Sequence, residues 1–172
     1  MNKNRWIFII TILAFCITIV FSLISSIILS DLGLIFGILV IFVFIFLGVL
    51  FDMIGISVAS CSIKPFYAIA SKRIKSAKVS IDLINNSAKV SSFCNDVIGD
   101  ICNIISGSAG IVVSTDIANK YNFNSSITIL IITSLIAAFT IGGKAYGKDI
   151  AINNNEKIVN KFSKIISIVR RK

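Results

Sequence analysis

Residues 32–51 read LGLIFGILVIFVFIFLGVLF, twenty residues without a charged side chain. A helix needs about 20 apolar residues to cross the hydrocarbon core of a bilayer. The whole chain of 172 residues is 56% hydrophobic and only 15% charged, and its mean hydropathy is +0.94. Soluble domains carry about 25% charged residues. The composition argues against a soluble globule, a disordered tail and, despite the net charge of +9, a nucleic-acid-binding domain.

Three further segments extend this reading to an all-α integral membrane protein with four transmembrane helices. The predicted spans are residues 6–29, 32–51, 93–114 and 123–143, and the first two are joined by a tight turn at Ser30-Asp31. Residues 6–29 follow Lys3 and Arg5 as a signal peptide would. Their uncharged stretch is longer than a cleaved leader needs and no A-x-A site follows it, so we expect an uncleaved anchor.

The third span is the least regular of the four. The uncharged run between Asp100 and Asp116 has 15 residues, which cover roughly 22 Å as a helix and fall short of the bilayer core. A span that starts near Phe93 is long enough. It carries Asp96 and Asp100 into the membrane.

The basic residues predict the orientation of the spans. With four spans, 16 of the 17 lysines and arginines lie on one face and only Lys120 lies on the other. The positive-inside rule makes the basic face cytoplasmic. We therefore expect a multi-pass protein of the cell membrane, the inner membrane of a bacterium, with both termini in the cytoplasm.

Two basic stretches have apolar residues at helical spacing. They are the middle segment, residues 62–90, where Pro65 suits a first helical turn, and the tail, residues 151–172, which follows a transmembrane domain of residues 1–150. Both are predicted to be cytoplasmic amphipathic helices that bind anionic lipid headgroups at the bilayer surface. A dedicated protein partner is the alternative, and nucleic acid is not expected because the stretches have no aromatic-rich basic patch.

The third span has one small and polar face. Its members recur at steps of three and four: Ser92, Asn95, Asp96, Gly99, Asp100, Asn103, Ser106, Gly107 and Gly110. Small residues let helices approach closely, and polar residues bond between them. Packing alone explains the glycines and Ser106, and the same stripe predicts a homodimer.

The two aspartates need a further explanation, because an acidic side chain in a span costs roughly 2.5–3.5 kcal/mol. Carboxylate and amide oxygens suit hard cations such as Mg²⁺. The predicted cation ligands are Asn95, Asp96, Asp100 and Asn103, with Ser57 and Asp52 at the end of the second span, where Gly55 is expected to loosen the helix. Pairing with Lys144, or snorkelling to the interface, would also explain the aspartates.

Other kinds of chemistry have little support in the sequence. The chain has no histidine, and its four cysteines form no CxxC pair, so imidazole catalysis, a zinc site and a disulfide framework are not expected. No nucleophile–base arrangement is present. The chain is predicted not to be an enzyme and to need no cofactor beyond a bound or transported Mg²⁺.

Four short segments resemble the transmembrane domain of the CorB/CorC and cyclin-M magnesium-transport family, over about residues 34–150. Residues 57–60 (SVAS) lie where that family has a small-residue break, and residues 75–81 (KSAKVSI) are similar to its amphipathic G-A-K-R-A-L stretch. Residues 93–99 (FCNDVIG) lie on its G-N-N-x-x-N motif, and residues 143–148 (GKAYGK) lie on its G-E-x-x-P-K exit.

The resemblance implies a dimeric domain with an inward-open cavity that exchanges Mg²⁺ for Na⁺. Asn95 carries over as a cation ligand, and Ser57 carries over loosely. The sequence departs from the pattern at Asp96, at Gly99 with Asp100 beside it, and at Lys144 in place of the glutamate. The cytosolic nucleotide-binding domain pair of the family is not in this sequence. The chain is accordingly expected to be a divalent-cation transporter or exchanger, or else a non-transporting structural or regulatory relative whose aspartates Lys144 neutralises.

Overall fold

The computed structural model describes residues 3–71 and 75–169, and all regular structure in these residues is helical. Seven α-helices are present: α1 Lys3–Ser60, α2 Lys64–Ala70, α3 Lys75–Asn85, α4 Ser87–Ser92, α5 Asp100–Tyr121, α6 Ser125–Asn153 and α7 Asn155–Val169. A π-helical turn over Phe93–Gly99, called the π segment below, connects α4 to α5. The all-α prediction is confirmed.

Three segments of the described residues are long and apolar enough to cross a membrane, where the sequence analysis predicted four. They are Gly33–Ser60, Ser87–Tyr121 and Ser125–Asn153, and they suggest a multi-pass membrane protein. Each ends later than predicted, because the helix continues into polar residues after the apolar run ends.

The prediction of four spans is wrong at the N-terminal end. Residues 6–29 are helical as the first part of α1, but many of their side chains lie outside the described residues. The turn expected at Ser30-Asp31 is helical. The helix is interrupted instead at Gly33, whose φ of 76° and ψ of 168° are values that only glycine adopts readily.

The short connection between α5 and α6 is built from asparagines. Asn122 ends α5 in the left-handed conformation, with φ 55° and ψ 37°. The side-chain oxygen of Asn124 then accepts hydrogen bonds from the backbone N–H groups of Ser126 and Ile127. Asparagine tolerates the left-handed region and caps helix N-termini well, so these residues fix a reversal of the chain within three positions.

The chain divides into two compact units, and the first comprises Met1–Val49 and Val97–Gly143. One apolar cluster there joins α1, α5 and α6 through Ile41, Ala109, Val113 and Ile136. Gly110 allows this close packing, because a Cβ at that position would overlap Ile136 Cδ1. A second buried cluster contains Val97, Ile101 and Ile105, with Ala14, Ile17 and Phe44 packed against it.

The second unit comprises Leu50–Asp96 and Lys144–Lys172. Its apolar core joins Val58 and Cys61 to Phe66 of α2 and Val159 of α7. The helix α3 packs against both α2 and α7. A buried hydrogen bond of 2.8 Å from Ser80 Oγ to Ser163 Oγ lies between α3 and α7.

Helices form where the two basic stretches predicted them. The segment 62–90 contains α2, α3 and the start of α4, Pro65 lies in the first turn of α2, and the tail forms α7. The apolar faces of α3 and α7 pack partly against each other, and Ala77 and Val159 are both buried. Some of the basic residues on which the prediction relied lie outside the described residues: Lys72, Arg73, Arg170, Arg171 and Lys172.

Candidate functional site

The π segment holds the first two residues of the predicted cation site, Asn95 and Asp96. Its backbone bonds follow the wider π pattern. Such turns are rare and occur frequently at functional sites. The sequence analysis missed this turn, because apolar and polar spacing within seven residues does not distinguish it from an α-helix.

Asn95 is held against the backbone of α1. Its side-chain amide donates a long hydrogen bond of 3.5 Å to Ser91 Oγ. The carbonyl oxygen, Oδ1, is buried and accepts no hydrogen bond. Gly55 lies beside it so closely that a Cβ at Gly55 would overlap Oδ1.

The role of Gly55 therefore differs from the one expected. The sequence analysis predicted that Gly55 loosens the second span, yet α1 keeps helical dihedrals from beyond Gly33 to Ser60. The glycine is buried, and what it supplies is room for the Asn95 amide. Glycine allows such close approach because it has no Cβ.

Asp96 is exposed and bonds to its own helix. Its Oδ2 accepts a hydrogen bond of 2.7 Å from Ser92 Oγ, one helical turn earlier. Asp96 and Lys144 both belong to the described residues, and they form no salt bridge there. Asp96 can turn towards a cation by giving up one hydroxyl bond.

The two predicted ligands of α1 have other partners. Ser57 is fully buried and donates a hydrogen bond of 3.2 Å to the backbone carbonyl of Ala151 in α6. This bond joins positions 94 residues apart, so it was not foreseeable from local sequence. Asp52 is half-buried and also has a bonding partner.

The remaining two predicted ligands, Asp100 and Asn103, belong to the first unit. Asp100 is exposed at the start of α5. Asn103 has a buried Oδ1 without a hydrogen-bond partner, like that of Asn95. It lines a cavity of about 250 Å³ together with Ser106, Gly107 and residues of α6 that include Thr133 and Thr140.

The six predicted ligands are thus distributed over both units, with Asn95, Asp96, Ser57 and Asp52 in the second. Within the part of the chain that the structure describes, no three Asp, Glu or Cys side chains converge as a metal cluster. The π segment offers two oxygen groups on consecutive residues, the buried amide carbonyl of Asn95 and the exposed carboxylate of Asp96. Mg²⁺ is usually held by one or two carboxylates and keeps several of its waters.

The cysteines form no disulfide in the described chain. Cys61, Cys94 and Cys102 are buried. Cys61 follows the end of α1, and burial, with the nearby negative charge of Glu156 as a second cause, raises the pKa of its thiol above the ordinary value. A protonated, enclosed thiol is a poor metal ligand and a poor nucleophile.

No family model, no curated protein and no solved structure matches this chain.

Proposed function

We propose that this protein is a transporter or exchanger of Mg²⁺-like divalent cations, and that Asn95 and Asp96 of the π segment bind the ion. The observation that carries the proposal is the buried Oδ1 of Asn95, which has no hydrogen-bond partner. Leaving a buried acceptor unpaired costs about 1–3 kcal/mol. Asn103 also has a buried unpaired oxygen, but it lies in regular helix and Ile104 follows it, whereas Asn95 lies in the π segment and is followed by Asp96. Amide carbonyl oxygens are ligands for hard cations.

The surroundings of Asn95 support the same proposal. The π segment places an exposed carboxylate at the next residue, and Gly55 provides the space in which the amide is held. Asp96 supplies the charge and Asn95 supplies a fixed oxygen. Magnesium fits this small ligand set because its remaining positions are filled by water. The resemblance to the CorB/CorC and cyclin-M family remains a prediction that agrees with it.

Growth and uptake in a host that lacks its own magnesium transporters test the proposal. The chain should restore growth at low Mg²⁺, and the Asn95→Leu variant should not. Asn103→Leu is the matched control, because Asn103 also has a buried unpaired oxygen but lies in regular helix. Failure of the unaltered chain, at normal membrane expression, would favour a non-transporting relative.

We also propose that the middle basic stretch and the tail lie in the cytoplasm, as the positive-inside rule predicts. If Gly33–Ser60, Ser87–Tyr121 and Ser125–Asn153 all cross the membrane, these two stretches lie on the same face. The side of the N-terminus then depends on whether residues 6–29 cross as well. Cysteines introduced at Lys120 and Lys157, in a chain without its native cysteines, should react from the outside and the inside respectively. One at Lys3 should react from the inside if residues 6–29 cross the membrane.

We also propose that the chain is a homodimer, with Gly107 at the contact. Unlike Gly110, Gly107 has open space where a side chain would be, beside the cavity that Asn103 lines. Gly107→Leu should weaken association without overpacking the monomer. Gly142→Leu, at another open glycine, is the control. Monomeric wild-type protein at all concentrations in detergent would contradict this proposal.

A further inference from the structure

The helix α7 has two faces with different environments. One face is buried in the second unit: Val159 and Ser163 have no exposed surface, and Ser163 accepts the hydrogen bond from Ser80. This packing fixes the rotation of α7 about its axis. The opposite face is therefore held outward.

The outward face combines lysines with large apolar side chains. Lys157, Lys161 and Lys164 are exposed, and so are Ile165 and Ile168, which are 60% and 70% accessible. Steps of three and four residues place all five on one side of a helix. Isoleucines exposed among lysines are characteristic of helices that lie in a membrane interface.

The described side chains of the neighbouring helix α3 lack this combination. Its small residues Ser76, Ala77 and Ser80 are buried. Its exposed residues include Lys78, but also Asp82 and Asn85. Both basic stretches were predicted to bind lipid, but of α3 and α7 it is α7 whose packing leaves lysines and large apolar side chains exposed on one face.

The position of α7 in the chain puts it near the bilayer. The candidate span α6 ends at Asn153, and α7 begins at Asn155. The uncharged run of α6 ends at Gly143, and the ten further residues of α6 cover roughly 15 Å, so α7 begins within about that distance of the end of the apolar run. The available surface on that side is anionic phospholipid, whose charge is complementary to that of the lysines.

We propose that the outward face of α7 docks on an anionic phospholipid surface, with Lys157, Lys161 and Lys164 at the phosphates and Ile165 and Ile168 in the interface. The docking is electrostatically controlled. Each lysine contributes about fivefold to the docked population, the equivalent of about 1 kcal/mol near an anionic surface. Removing all three charges should lower it on the order of 100-fold.

A single tryptophan at position 168 tests this in the full chain. The native protein has one tryptophan, Trp6, so Trp6→Phe with Ile168→Trp provides a unique probe. The protein is placed in nanodiscs of neutral or anionic phospholipid that carry brominated acyl chains, which quench tryptophan only on contact. We expect quenching in anionic discs and little in neutral discs.

Two further measurements make the result specific. The triple variant Lys157→Gln, Lys161→Gln and Lys164→Gln should lose the quenching. If that variant does not reconstitute, raising the salt of the unaltered lysine background to about 1 M, where the Debye length is roughly 3 Å, should reduce the quenching instead. Lys78→Trp on the exposed side of α3, nine residues before the candidate span Ser87–Tyr121 begins, should stay unquenched throughout in the Trp6→Phe background.

Three outcomes would overturn the proposal. The probe at 168 could remain unquenched in anionic discs, which would leave the face to water or to an acidic macromolecule. It could be quenched equally in neutral and anionic discs, which would remove the role of the lysines. The probe at Lys78 could respond as strongly as the one at 168, which would remove the distinction between α7 and α3. None of these outcomes bears on the cation site of the π segment.

Discussion

Two glycines of α1 each lie against a Cys-Asn pair, one in each unit of the molecule, and the two contacts differ in how close they are. Gly55 faces Cys94 and Asn95, and Gly48 faces Cys102 and Asn103. A methyl group at Gly48 would lie 3.3 Å from Cys102 Cβ, which is a tight contact, and 3.7 Å from Asn103 Oδ1, which is an ordinary one. A methyl group at Gly55 would overlap Asn95 Oδ1 itself.

The π segment accounts for the likeness as well as the difference. Gly48 and Gly55 are seven residues apart, which is about 20° short of two helical turns, so they share a face. The two Cys-Asn pairs are eight residues apart, which would turn them about 80° away from each other in a regular helix. The π turn absorbs the extra residue and turns Asn95 back. The comparison teaches that a local backbone irregularity, rather than residue type, distinguishes the proposed ligand from its counterpart.

The largest expected effect separates the two asparagines. Asn95→Leu should abolish the stabilisation of the folded protein by Mg²⁺, which amounts to about 2.7 kcal/mol when the ion is at 100 times its Kd. Without Mg²⁺ the variant should be as stable as the native chain or more stable, because an unpaired buried acceptor has been removed. Unfolding in detergent with and without Mg²⁺ measures both quantities. Asn103→Leu should keep the Mg²⁺ response, and an equal loss in both variants would end the distinction.

A methyl group at Gly55 is expected to have the next largest effect. Gly55→Ala should displace the Asn95 amide and press on Cys94 Cβ, at a cost of about 1–3 kcal/mol in the free energy of unfolding. The Mg²⁺ response should weaken at the same time. Denaturant titration of the purified variant measures the cost, and a neutral result would show that the amide is not held by this contact.

Methyl groups at Gly142 of α6 and Gly48 of α1 should change the free energy of unfolding less than Gly55→Ala does, and should not lower it as strongly. Gly142 has open space around it, so Gly142→Ala should stabilise α6 by about 0.5–1 kcal/mol through helix propensity. At Gly48 that gain is offset by the contact with Cys102, and Gly48→Ala should change stability by less than about 1 kcal/mol. If Gly48→Ala cost as much as Gly55→Ala, the two contacts would be equivalent.

The smallest effect concerns Lys144. Because Asp96 bonds to Ser92, Lys144→Ala should change stability by less than about 0.5 kcal/mol, as a surface substitution does. Ser92→Ala should cost about 1 kcal/mol, since the lost hydrogen bond has a charged acceptor. A larger loss for Lys144→Ala than for Ser92→Ala would revive the pairing of Lys144 with an aspartate. Thermal unfolding of the two variants side by side decides between them.

The apolar runs made the helical spans predictable, because periodicity is unnecessary when every face meets lipid. Residues 32–51 lie within α1, and residues 125–143 of the predicted span 123–143 lie within α6, although charged residues such as Lys148 and Asp149 continue α6 beyond the predicted end. Gly33 was not recognised as the break, since Ser30-Asp31 offered the more polar turn. Helix ends and breaks depend on dihedral freedom, which polarity does not report.

The candidate site was predictable in its residue types and not in its contacts. Asn95 and Asp96 stood out as polar residues in an apolar segment, and a polar residue there is a functional candidate on cost alone. The hydrogen bond from Ser57 to Ala151 and the approach of Asn95 to Gly55 join distant parts of the chain. Such contacts follow from packing, on which a single sequence carries no direct information.

The π segment has a consequence in genetic terms. The structure describes all of Ser87–Tyr121, and the π segment lies within it. A π turn contains one residue more than an α-helical turn does. An in-frame loss of one codon within Phe93–Gly99 would leave a regular helix with both flanks still connected. The additional codon is unnecessary for making a helix, and its effect is on where the asparagine points.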